Sequence, residues 1–222
     1  MNNLSKQELA ATFKGINQKS DTFIIRFLFA HVAFSLFLAT FYDTWLLAVT
    51  VGGSSLLTWY TIRLILPESQ LHRYIASVFF GIYVGLFIYQ MHGLFEMHFF
   101  AFIASAILIT YQNWKLQIPL ITFVAVHHAA FAYAQFTGNE QVYFTQLEYM
   151  DLQTFIFHIS LALTVVTICG FWAHNLRKST IENALKSKEL ENSNEKLESS
   201  LSEIQVAHVA LEKERKEVKY LY

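Results

Sequence analysis

The residues best suited to chemistry in this sequence are imidazoles set in apolar surroundings. "MHGLFEMHFF" (91–100) holds His92, Glu96 and His98, "VAVHHAAFAY" (124–133) holds His127 and His128, and "TFIFHISLAL" (154–163) holds His158. Neutral imidazole, with or without a carboxylate, is a ligand set for Zn, Cu or Fe, and imidazole is also the usual axial ligand of haem iron. A polar group with no partner is costly in oil. These residues therefore predict something that balances them: an ion, a metal-containing cofactor, or one another.

The elements that must position them are apolar helices. Of 222 residues 54% are hydrophobic, and the charges are unevenly spread. Between Phe23 and Asn175 there are four basic and six acidic residues, whereas residues 176–222 hold nine of each. The net charge of −1 describes neither part and points to no nucleic-acid partner. Apolar runs of about 18 residues or more with almost no charge read as transmembrane helices. Six occur, at 23–41, 44–66, 74–91, 93–112, 116–136 and 152–174. The first follows a polar leader and has no small-x-small cleavage pattern, so it is not a signal peptide. The single Cys169 lies in the sixth run, where it reads as a small buried hydrophobe.

Lys and Arg near span ends mark the cytoplasmic side. Lys14 and Lys19, Arg63 and Arg73, Lys115, and Arg177 with Lys178 alternate with three connections that lack both residue types. Both termini are thus predicted cytoplasmic. At about 1.5 Å per residue, His98 lies roughly 9 Å below the outer surface, His127 and His128 roughly 12–13 Å, His158 roughly 10 Å and Glu96 roughly 6 Å, with His92 at the rim. Three consecutive helices then present imidazoles at one level. His127 and His128 differ by about 100° around their helix, so the two cannot point at one centre equally well: one ligates while the other orients a partner or faces the neighbouring helix. His98 and one of that pair, with His158, are the expected ligands. Glu96 or His92 is then a fourth ligand or an orienting partner. His31 is deeper, and His72 and His174 read as interface residues.

The tail from residue 176 has no Gly or Pro and is rich in Glu, Lys and Leu, so it should be helix. Leu190, Leu197, Ile204, Leu211 and Val218 recur every seven residues, with Asn194, Leu201, His208, Arg215 and Tyr222 as the second column. One apolar and one mostly polar seam predict a parallel dimeric coiled coil. Ile181 and Leu185 do not fit that phase, which reads as a stutter. A coil leaving the last span is a connector, and an output domain is expected beyond it.

"EMHFF", "LITYQNWKLQIPL" and "VAVHHAAFAYAQF" together resemble the membrane-integral amino-terminal regions of bacterial chemotaxis receptors, sensor histidine kinases and diguanylate cyclases. An E-x-H-F pattern, a Y-x-x-W turn and an H-H pair occur there in this order, matching Glu96, His98 and Phe99, then Tyr111 and Trp114, then His127 and His128. The resemblance covers residues 90–136 and implies a sensory input domain in a bacterial inner membrane, with the ligand left open.

The expectation is an all-α chain: a polar segment (1–22), a six-helix membrane bundle (23–175) and a cytoplasmic coiled-coil helix (176–222) that forms a homodimer among membrane lipids. It senses through a transition-metal ion (Zn, Cu or Fe), or alternatively haem b, held by His98, His127, His128, His158, Glu96 and His92. The chain itself is not expected to be an enzyme, because membrane metalloenzymes need more carboxylates than Glu96 alone, or denser histidine motifs than the other five positions supply. A receptor for a small organic ligand, or a purely hydrogen-bonded polar layer, is the alternative.

Overall fold

A computed structural model describes residues 4–147 and 152–219, and every regular element among them is helical. Six α-helices follow in order: α1 (Lys6–Tyr42), α2 (Trp45–Ile65), α3 (Leu71–Gln90), α4 (Phe100–Leu108), α5 (Gln117–Phe136) and α6 (Leu152–Lys219). Short 3-10 helices at Phe95–Phe99 and Ile109–Tyr111 flank α4, and a third at Trp114–Leu116 leads into α5. Glu148, Asp151 (the expected foot of the sixth apolar run) and the seam position Tyr222 lie outside the described residues.

Five of the described helices, α1, α2, α3, the run into α5, and α6, are long and apolar enough to cross a membrane. The fourth apolar run differs from the straight helix expected over 93–112. It is the shorter segment Phe95–Tyr111, α-helical only in its middle. The cause is the turn before it. His92 and Gly93 both adopt left-handed backbone, at φ 49° and 79°. A Cβ at Gly93 would sit 2.7 Å from the backbone of Thr145, so only glycine passes there. Because 3-10 turns rise about 2.0 Å per residue against 1.5 Å in an α-helix, these residues still give a run about 30 Å long. The polar leader is itself helical, and α1 runs without a break from Lys6.

The chain divides into two compact units, residues 13–177 and residues 1–12 with 178–222. In the larger unit α3 is central: 61% of its apolar stretch is buried, against 6% for α6. Ile24 and Leu28 of α1, Phe80, Tyr83 and Phe87 of α3, Leu108 of α4 and Leu120 of α5 share one core. Between α3 and α5, glycines four apart on α3 admit large rings from α5. A Cβ at Gly81 would lie 3.0 Å from the Phe123 ring, and one at Gly85 2.7 Å from the His127 ring. Small residues at this spacing are a common device for bringing apolar helices together.

Buried polar side chains pin the remaining seams. Gln90 donates to the Ser35 carbonyl (3.0 Å) and to Thr44 Oγ1 (2.8 Å), and accepts from Ser35 Oγ (2.9 Å). Ser105 and Gln117 pair at 2.7 Å, and the Ser55 and Tyr83 hydroxyls at 2.6 Å. Every one of these groups finds its partner inside the protein, as burial in an apolar setting requires.

In the smaller unit Ser5 and Glu8 form a capping box at the start of α1. The Ser5 N–H donates to Glu8 (2.8 Å), and the Glu8 N–H to Ser5 Oγ (3.3 Å). Glu8 also accepts from Lys188 Nζ at 2.6 Å. That bond, with those from Ser5, holds the Glu8 carboxyl down at about 2. Ile181 and Leu185, the two residues out of heptad phase, are half-buried on the stretch of α6 that ends in Lys188. Leu190, Leu197, Leu201, Ile204 and Leu211 farther along are exposed. The phase break thus coincides with the stretch that pairs with the amino-terminal segment.

Candidate functional site

Three imidazoles from three elements meet. The ring centre of His98 lies 5.2 Å from that of His128 and 5.5 Å from that of His158, and His128 and His158 are 5.8 Å apart. His98 stands on the 3-10 helix before α4, His128 on α5 and His158 near the start of α6. The His98 Nδ1–H donates to the Phe95 carbonyl at 3.1 Å, which fixes the tautomer and leaves Nε2 as the free nitrogen.

Two phenylalanines close the flanks. Phe95 stacks on His98 (5.8 Å, 29°) and meets His158 at 6.1 Å. The first contact follows from 3-10 geometry, in which residues three apart eclipse. Phe144 stands edge-on to His98 (5.6 Å) and His128 (5.1 Å). It is held there by Gln135, whose Oε1 accepts from the Phe144 N–H (2.6 Å) and the Thr145 N–H (3.1 Å) while Nε2 donates to the Thr145 carbonyl (2.8 Å).

The paired histidines of α5 part company. His128 joins the triad, whereas His127 turns toward α3, stacked on Phe131 at 4.1 Å and filling the space left by Gly85. Six buried side-chain polar atoms among the described residues lack a hydrogen-bond partner, and three of them are His127 Nδ1, His127 Nε2 and His128 Nδ1. As the rings stand, no group of three or more His, Cys, Asp or Glu among the described residues is arranged to hold a metal ion.

The other sequence candidates lie elsewhere. Glu96 is exposed, whereas His98 two residues on is buried, and no described residue pairs with Glu96. The His92 ring is sandwiched between Tyr42 (3.7 Å) and Tyr143 (3.9 Å), outside the triad. His31 sits in an aromatic box of Phe80, Tyr83, Phe87 and Phe100, with Nδ1–H donating to the Phe27 carbonyl at 2.7 Å.

No family model matches the chain, and neither does any curated protein or solved structure.

A second polar centre, at the opposite end of the apolar helices, escaped the sequence reading. Asp21, 4% exposed, accepts from Arg63 (2.5 Å), His72 Nε2 (3.0 Å) and the Tyr111 hydroxyl (2.8 Å), with Arg73 3.5 Å away. Arg63 also lies over the Trp59 ring and Arg73 over that of Tyr111, each at 5.3 Å. Burial pushes the Asp21 carboxyl up, but the bonds from His72, Arg63 and Tyr111 outweigh it and hold it down at about 2. The available signal was an acid immediately before the first apolar run together with arginines at the ends of the next two.

Proposed function

We propose that the chain is the membrane-embedded input module of a sensory protein, and that its signal is a metal ion held by His98, His128 and His158. The observation that carries this reading is the triad itself. Three imidazoles around one ion at about 2.0–2.1 Å per bond place their ring centres about 5.2 Å apart in tetrahedral geometry and somewhat farther apart in trigonal geometry. Separations of 5.2, 5.5 and 5.8 Å suit that arrangement. The orphaned Nδ1 of His128 is a further reason to expect a guest.

An ion fits better than haem. A macrocycle needs an open slot beside its axial imidazole, and here Phe95 and Phe144 occupy the flanks. The resemblance of residues 90–136 to bacterial sensor regions supports the sensory reading. So does α6, which carries His158 at one end and exposed heptad leucines toward the other. Ligation biases the position of α6, and a homodimeric coil passes that bias to a cytoplasmic output domain. The shift can be no larger than the ion's difference in affinity between the two states.

Elemental analysis of purified protein tests the reading. Stoichiometric metal is expected in the parent and none in the H98A/H128A/H158A variant. Unchanged metal in that variant overturns the site, and a Soret band in the optical spectrum replaces the ion with haem.

A further inference from the structure

We infer that one face of α1 binds an anionic phospholipid, with the lipid phosphate on Lys19 and Arg26 and an acyl chain along the apolar strip that continues the same face. The inference needs α1 to cross a membrane, for which it is long and apolar enough, and it is independent of the metal. A groove of about 460 Å³ opens on this helix, lined by Gly15, Gln18, Lys19, Thr22, Phe23 and Arg26. At about 100° per residue these six fall within a sector about 140° wide, opposite the buried stripe of Ile24, Leu28, His31 and Ser35.

Lys19 and Arg26 are both exposed. Seven residues of helix put them nearly in line and about 10.5 Å apart along the axis, with Thr22 one turn from each. Helical side chains lean toward the amino-terminal end, which for Arg26 is the direction of Thr22, Lys19 and the membrane surface. A phosphate over Thr22 is then within reach of both cations. Asp21, the nearest acid along the helix, does not neutralise them, because it is buried on the other side and bound to Arg63, His72 and Tyr111. A charge on the lipid-facing side of a span is costly until it reaches the headgroup layer or a counter-ion.

Beyond Arg26 the same face becomes apolar. Ala30, Ala33 and Phe37 are exposed and stand within about 40° of Arg26 around the helix. From Arg26 to Phe37 the strip is about 16 Å long, close to half of a hydrocarbon core of roughly 30 Å. A basic foot beneath an apolar strip of this length repeats the order of parts in an anionic phospholipid, whereas a free phosphate would use the foot alone. A second copy docked by this face about an axis along the membrane normal would set Lys19 and Arg26 against their own counterparts, and like charges disfavour that.

The test uses the full chain, delipidated in detergent and incubated with equal amounts of dioleoyl phosphatidylglycerol and dioleoyl phosphatidylcholine. Lipid retained per chain after gel filtration is counted by mass spectrometry. The expected result is one phosphatidylglycerol per chain, favoured over phosphatidylcholine by at least about tenfold in low salt and by less in high salt. K19Q/R26Q should abolish the preference, whereas K14Q, on a different face, should keep it. A30W/A33W, which fills the strip, should lower retention of both lipids with helical circular dichroism intact. Equal retention of the two lipids by the parent overturns the inference, and so does an unchanged preference in folded K19Q/R26Q. Full displacement of the lipid by inorganic phosphate assigns the groove to a free anion instead. A change of oligomeric state in K19Q/R26Q without loss of lipid assigns it to a second copy. The salt dependence is read on the parent and stands even where a variant fails to fold.

Discussion

Tyr111 donates its hydroxyl hydrogen to Asp21 at 2.8 Å across 90 residues of chain. The bond joins the end of the fourth apolar run to the foot of the first, and Arg63 and His72 bring in α2 and α3. One carboxylate therefore gathers four helical elements, which makes its removal informative. Asp21→Asn leaves two arginines without their acid and should cost about 2–3 kcal/mol, seen as a lower thermal midpoint in detergent. Tyr111→Phe removes one hydrogen bond and should cost about 1 kcal/mol.

The same carboxyl sets an acid limit on stability. Its folded pKa, about 2, lies below its ordinary value of 3.8, so the folded state binds the proton less readily than the unfolded chain. The stabilisation is complete above about pH 4 and is lost as pH falls toward 2, amounting to about 1–2 kcal/mol. Unfolding curves between pH 5 and 2 should show this limb in the parent and lack it in Asp21→Asn.

Within the histidine pair the two positions should behave differently. His128→Ala should lose the ion, whereas His127→Ala should keep it, because His127 faces Gly85 and Phe131. Equal loss of metal from both variants, with folding intact, would contradict the split.

Gly85→Ala places a Cβ 2.7 Å from the His127 ring and should cost about 1–3 kcal/mol through overpacking. The double variant Gly85→Ala/His127→Ala should recover much of that loss. A thermal-unfolding double-mutant cycle measures the coupling.

Gln135→Ala removes three hydrogen bonds that hold Phe144 and Thr145. Residues 142–147 should then exchange their amide hydrogens faster, while α3 stays protected. Any bound ion should leave faster as well, measurable by chelator competition.

The helical character and most boundaries were legible because apolar runs are long and interrupted only at charged or turn-forming residues. The fourth run was not, because His92 takes a left-handed backbone that its residue type does not announce, and only the neighbouring glycine hints at it. Counting residues along the helices puts His98, His127, His128 and His158 at similar heights, and the rings of His98, His128 and His158 lie within 6 Å of one another. The choice between His127 and His128 needs the rotation of α5 about its own axis, which is fixed by Gly81 and Gly85 on a different helix. On a straight α-helix Glu96 and His98 would stand about 200° apart; the segment is a 3-10 helix instead, and it leaves Glu96 exposed and His98 buried. Asp21 reads as part of a polar leader, since its partners lie 42, 51 and 90 residues away.

The 3-10 helix Phe95–Phe99 gives the wall of the site a mechanical property. Five residues wound at about 2.0 Å each are roughly 2.5 Å longer than the same five in an α-helix. Rewinding them would draw His98 along the axis and swing its ring around it, while the hydrogen-bonded turns of α4 stay whole. The winding of this one short turn therefore sets how far along the axis His98 stands from α4.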